Sequence, residues 1–150
     1  MPQSYTRHVY HIIYSTKDRE PLITGDIKPE LFKYMGGIFR KLNSVAFTIN
    51  GMPDHVHILA ALPPTEAVAD IVGKVKSNSS KWIHERWPIH SRFGWQNGYG
   101  AFTVSISKEA KARQYIAEQE KHHFKRSFKQ EFLWFLKEHE VKYNERFIWL

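Results

Sequence analysis

Residues 45–62 read VAFTINGMPDHVHILAAL. Two runs of β-branched and apolar residues, 45–50 and 55–62, flank a GMPD whose glycine, proline and aspartate suit a tight turn, so the stretch predicts a β-hairpin. The rest of the fold is read outward from it. Upstream, YTRHVYHIIYST at 5–16 is rich in β-branched and aromatic residues and predicts a strand. Between the two, ELFKYMGGIFRKL at 30–42 sets Leu31, Met35, Ile38, Phe39 and Leu42 at helical spacing, in spite of Gly36-Gly37. Downstream of Pro63-Pro64, residues 66–86 carry Val68, Ile71, Val72, Val75, Ser79, Trp82 and Ile83 along one helical face, with Lys74, Lys76, Lys81 and Arg86 largely off it. A turn-rich loop then runs into a strand at 101–106. The order β-α-β-β-α-β is that of a ferredoxin-like, split βαβ fold: α+β, an antiparallel sheet with helices on one face. Beyond it, Ser107 is placed to cap a helix beginning KEAKARQYIAEQEKHH, and SFKQ at 127–130 is capping-box spelling for a last helix with Phe128, Phe132, Phe135 and Leu136 inward.

With 150 residues, 42% of them hydrophobic, the chain fits one domain spanning 1–150. It has no cysteine, which excludes disulfides, zinc thiolates and a cysteine nucleophile; any metal must be held by His, Asp, Glu, Gln or Asn. No basic-then-apolar leader opens the sequence and no apolar run approaches the roughly 18 residues of a membrane span, so a soluble intracellular protein is expected. The net charge of +7 draws polyanions, and nucleic acid is the first partner to consider; a merely basic soluble protein is the plain alternative.

Two constellations carry chemistry. Side chains alternate across a strand, so His55 and His57 share a face, about 6.5–7 Å apart along the chain. Both rings can reach one ion, although a third donor is needed, and a partly buried hydrogen-bonded pair is the other reading. A His-φ-His-φ-His triad (φ, apolar) would need histidine at 59, where the chain has Leu59, and the helical H-E-x-x-H spacing is absent. The second constellation is QYIAEQEKHH, 114–123. On a helix Tyr115, Gln119 and His122 fall on one stripe, either a nucleophile with a metal donor or a solvated surface. Together the two make sense for phosphoryl transfer, because a divalent ion that polarises a phosphodiester compensates for the poor nucleophilicity of a phenol. Attack by Tyr115 would exchange one ester for another, with no nucleoside triphosphate required, and the chain has no G-x-x-x-x-G-K-[ST] motif.

In the order and spacing of YTRHVYHIIYSTKDREPLI, MPDHVHIL, KSNSSKWI, WQNGYGAFTVS, YIAEQEKHH and FKQEFLWFL through RFIWL, the chain resembles the single-tyrosine HUH transposases of bacterial insertion sequences, the IS200-like TnpA type. HVH supplies the His-hydrophobic-His element, and Tyr115 with Gln119 supplies the tyrosine helix. The resemblance implies a metal-dependent endonuclease and strand transferase on single-stranded DNA with imperfect hairpin ends. His55, His57 and Gln119 would be ligands for magnesium or manganese, and Tyr115 the nucleophile forming a 5′-phosphotyrosine. It further implies a homodimer with shared active sites, in the bacterial cytoplasm and on the nucleoid when bound to DNA. His122 and His123 match the family's paired histidines, in contact with the metal, the phosphate or only the fold. For DNA contact, Lys74, Lys76, Lys81, Arg86, Arg92, Trp95 and Tyr99 combine positive charge with stacking surface, although the aromatics suit core packing equally. Rival readings are a non-catalytic single-strand-binding module, a water-using metal phosphodiesterase, and a domesticated relative that cleaves repeated palindromic elements.

Overall fold

Alternation of apolar residues along the two central strands gives the sheet two buried faces, and the chain supplies helices for both. The computed structural model describes residues 3–123 and 126–149. Its strands are β1 (His8–Ser15), β2 (Val45–Met52), β3 (His55–Leu62) and β4 (Gly100–Thr103), in the order β2-β3-β1-β4. Every pairing is antiparallel: β1 lies along β3 from His8 opposite Leu62 to Ser15 opposite His55, β2 closes a hairpin with β3, and β4 pairs with β1. This is the predicted ferredoxin-like arrangement. The hairpin is tighter than GMPD suggests, because Gly51 and Met52 continue β2 and leave a two-residue turn at Pro53-Asp54.

The even-numbered side chains Ile12, Tyr14, Val56, Ile58, Ala60 and Leu62 meet α1 (Lys28–Lys41) and α2 (Val68–Arg86) in the larger core. There α1 inserts Leu31, Met35 and Phe39 with no exposed surface, each burial stabilising by about 1.5–3 kcal/mol. On α2 the buried residues are Ile71, Val72, Val75, Ser79 and Ile83, within the face read from the sequence.

The odd-numbered side chains Val9, His11, Ile13, His55, His57 and Leu59 face the other way, toward α3 (Glu109–Ala117) and α5 (Phe128–Glu138). Three expectations fail here. Ser107 does not cap α3: it lies in a short 3-10 turn, Ile106–Lys108, its hydroxyl shared with Ser105, and the strand expected over 101–106 stops at Thr103. The helix expected to run unbroken to His123 is interrupted at Glu118, and α4 (Gln119–His123) resumes beyond it. The cause is Asn50 on β2, whose amide donates to the carbonyls of Ile116 (2.9 Å) and Ala117 (3.3 Å) and ends the helix there. The capping box at Ser127 and Gln130 is formed in both directions, and Phe128, Phe135 and Leu136 are buried as expected. No described helix is long and apolar enough to cross a membrane.

Candidate active site

Period-2 alternation on β3 puts His55 and His57 on one face, and both are fully buried. Each ring is held from behind. His55 Nδ1 lies 2.6 Å from Asp54 Oδ1, and His57 Nδ1 lies 2.8 Å from His11 Nε2. Those partners turn both Nε2 atoms toward a common centre, the usual way of orienting an imidazole ligand. Burial, reinforced by His57, holds His11 well below the usual imidazole range. His11 is therefore neutral near pH 7, able to accept the Nδ1 proton that His57 carries whenever its Nε2 lone pair is needed by a cation.

Three further groups enter from the C-terminal helices. Glu131 on α5, 1% exposed, brings Oε1 to 2.7 Å from His57 Nε2 and 3.5 Å from His55 Nε2. Gln119, fully buried at the start of α4, brings Oε1 to 3.4 Å from His55 Nε2. The break at Glu118 lies immediately before it. Tyr115, half-buried on α3, donates its hydroxyl to Glu131 Oε2. Burial first, and then the hydrogen bond and charge of Glu131, push the Tyr115 phenol well above its ordinary value, so it is held protonated. Tyr115, the two histidines and Gln119 thus meet within one chain.

Among the described residues, His55, His57 and Glu131 form a cluster whose donor atoms lie within 4.8 Å of one another and could hold a metal ion. Two imidazoles, a carboxylate and a neighbouring amide oxygen form a mixed nitrogen and oxygen set suited to a divalent cation without thiolates. Glu131 and His11 escaped the sequence reading. Glu131 occupies the buried stripe of α5 with Phe128, Phe135 and Leu136, and His11 occupies the site face of β1; a polar residue on an apolar stripe was the signal in each case.

The residues proposed for DNA contact sit elsewhere, along α2 and the loop after it. Lys74 and Lys81 are exposed. Arg86 pairs with Glu30 at 3.2 Å, and Arg92 with Glu20 at 3.0 Å. Tyr99 is exposed. Two have polar atoms engaged within the fold. Lys76 donates to the carbonyls of Gln96 and Gly98, and burial pushes its ammonium down to about 8. Trp95 donates to Ser79 Oγ at 3.0 Å and lies edge-on to Tyr14 and Phe93. The side chains of His122 and His123 lie outside the described residues.

Against known proteins, the family model described as "Transposase IS200 like" matches residues 4–119. The chain is similar to the ISDra2 transposase TnpA of Deinococcus radiodurans, 29% identical over 115 residues, covering 73% of this chain and 82% of that protein. It is also similar to the transposase for insertion sequence element IS200 of Salmonella typhimurium, 29% identical over 119 residues, covering 73% and 75%. Among solved structures, a crystal structure assigned to a transposase of Deinococcus radiodurans R1 superposes with a TM-score of 0.63 at 25% identity, covering 79% of this chain and 96% of that one. A REP-associated tyrosine transposase bound to a REP hairpin shares the fold, with a TM-score of 0.60 at 12% identity over 82% and 73%.

Proposed function

This chain belongs to the family of IS200-like transposases, and on that premise we propose that it is a metal-dependent endonuclease and strand transferase for single-stranded DNA, acting through a 5′-phosphotyrosine at Tyr115. The observation that carries the reading is the convergence of a phenol, two imidazole nitrogens, a carboxylate and an amide oxygen in one buried cluster. His55 and His57 through Nε2, with Gln119 and Glu131 through an oxygen each, would hold the ion. Bound Mg2+ or Mn2+ would supply Lewis acidity, drawing charge from a phosphate oxygen.

The protein's own residues do the rest. Asp54 and His11 fix the imidazoles, and Glu131 Oε2 holds the Tyr115 proton and aims the phenol oxygen. In the transfer, the bond from the Tyr115 oxygen to phosphorus forms and the bond to the 3′ oxygen breaks; the phenol proton balances the one taken up by the departing 3′ oxygen, so the freed DNA end carries a 3′ hydroxyl. Reversal with a different 3′ hydroxyl rejoins DNA at little net cost, since ester replaces ester. Lys74, Lys81, Arg86, Arg92 and Tyr99 are proposed DNA contacts, while Lys76 and Trp95 serve by holding the loop. Hairpin-ended single-stranded DNA is the proposed substrate, supported by the family and, at the level of fold, by the hairpin-bound tyrosine transposase. A homodimer with shared active sites, in the bacterial cytoplasm, is proposed from the family.

The test is incubation with single-stranded hairpin DNA and manganese. A denaturation-resistant protein–DNA adduct is expected, and Tyr115→Phe should abolish it. An adduct that persists in Tyr115→Phe overturns the nucleophile. Turnover without any adduct indicates a water-using phosphodiesterase, and binding without turnover a non-catalytic module.

A further inference from the structure

Beside Tyr115, away from Glu131, α3 and α5 splay apart over β4 and leave a cleft of about 550 Å³, within the range of ~300–1,000 Å³ typical of small-ligand sites. Its two walls differ in character. One wall, formed by the 3-10 turn and α3, presents Lys108 and Lys111, both exposed, and ends at the Tyr115 ring. The α5 wall presents Trp134, 42% exposed, edge-on to Phe135 at 4.9 Å. Phe102 and Phe135 line the interior, stacked at 5.7 Å. A third cation stands close by: the Arg126 guanidinium lies 5.7 Å from the Trp134 ring centroid, and its charge acts on the Tyr115 phenol.

An aromatic ring left 42% exposed at a cleft also lined by two lysines and by Tyr115 matches a flat apolar ring joined to an anionic backbone. A nucleotide has that chemistry, combining stacking on an aromatic face with phosphates against Lys or Arg. Resting on the function proposed above, we propose that this cleft is a subsite for the nucleobase flanking the scissile phosphate, unstacked onto Trp134, with Lys108 and Lys111 on the adjoining phosphates. The subsite orients the strand so that the phosphate next to this base is the one presented to Tyr115. The position of cleavage is then set in part by how well that base stacks.

The experiment reads binding and chemistry separately. Binding is measured by fluorescence anisotropy with a labelled oligodeoxythymidylate of about twelve nucleotides, inside the ~4–16 that such grooves cover, in the Tyr115→Phe background so that no chemistry intervenes. Trp134→Ala should weaken binding by about 5- to 100-fold, the span expected for loss of one base–aromatic stack, and Trp134→Phe should retain most of the affinity. Lys108→Glu with Lys111→Glu should flatten the salt dependence, by about 0.7 in log–log slope for each phosphate no longer neutralised. Circular dichroism of each variant confirms the fold. With Tyr115 present, an abasic nucleotide at one of the two positions flanking the cleavage site should lower adduct yield in the parent but not further in Trp134→Ala. Unchanged affinity in Trp134→Ala, or abasic and Trp134→Ala losses that simply multiply, overturns the subsite while leaving Tyr115 chemistry standing. Absence of any adduct with the parent overturns the proposed reaction instead, and the anisotropy series still decides whether the cleft binds a base.

Discussion

Replacing Glu131 with glutamine removes a negative charge from the centre of the cluster and keeps its shape. In the metal-free protein two effects oppose each other. Hydrogen bonds from His57 and Tyr115 to a charged acceptor are weakened, each such bond contributing about 1.5–3 kcal/mol. Against that, a carboxylate only 1% exposed no longer has to be stripped of water, an effect of several kcal/mol. The expected metal-free change is therefore small, within about 1 kcal/mol. Metal binding has no such compensation. Glu131 Oε1 lies 2.7 Å and 3.5 Å from the two imidazole nitrogens, and even loss of a group that only supports a ligand lowers affinity by ~10–100-fold. By linkage the stabilisation given by saturating manganese falls by about 1.4–2.7 kcal/mol. For a chain of this length that means a metal-induced rise in Tm smaller by about 3–10 °C. Differential scanning calorimetry across a manganese titration reads it directly. A Glu131→Gln variant whose metal-induced shift equals that of the parent shows that Glu131 takes no part in holding the ion.

Other consequences are tested in the same way. Tyr14 is fully buried and its hydroxyl has no hydrogen-bond partner among the described residues, so Tyr14→Phe should stabilise by about 1–3 kcal/mol in urea melts at neutral pH. Burial also pushes the Tyr14 phenol up. The folded state keeps a proton that the unfolded chain releases above about pH 10, so stability is fully present below that pH and falls by about 1.4 kcal/mol per unit above it. Tyr14→Phe should remove most of this alkaline loss in melts near pH 11, and Tyr115, more exposed, adds a smaller share. At Gly51 a Cβ would run into the His55 carbonyl oxygen, so Gly51→Ala should distort the hairpin under His55 and destabilise by about 1–3 kcal/mol in urea melts. Ser127→Ala breaks the capping box of α5 and should lower stability by about 1 kcal/mol, with a matching loss of amide-exchange protection at Gln130.

The parts of this molecule legible in its sequence are those whose signal is local. The HVH alternation put both histidines on one face of a strand, the spacing from Val68 to Ile83 marked the buried face of α2, and SFKQ announced the start of α5. What escaped depends on distant partners. The helix break at Glu118 is made by Asn50, a strand residue 66 positions away from Ile116, and no periodicity in QYIAEQEKHH reveals it. Glu131 and His11 sit where apolar neighbours predict core, and their use appears only once the register of β1 on β3 and the docking of α5 bring them to His57. Lys76 and Trp95 read as DNA contacts by type, yet their polar atoms meet loop carbonyls and Ser79.

Everything in the proposed reaction turns on which atom takes the phosphate. After reaction with single-stranded hairpin DNA and manganese, nuclease trimming and trypsin digestion, mass spectrometry should find the residual nucleotide on the peptide QYIAEQEK, residues 114–121, whose one hydroxyl-bearing side chain is Tyr115. Chelation of the metal should abolish the modified peptide. A nucleotide carried by any other peptide, or an adduct indifferent to chelation, contradicts a metal-dependent attack by Tyr115.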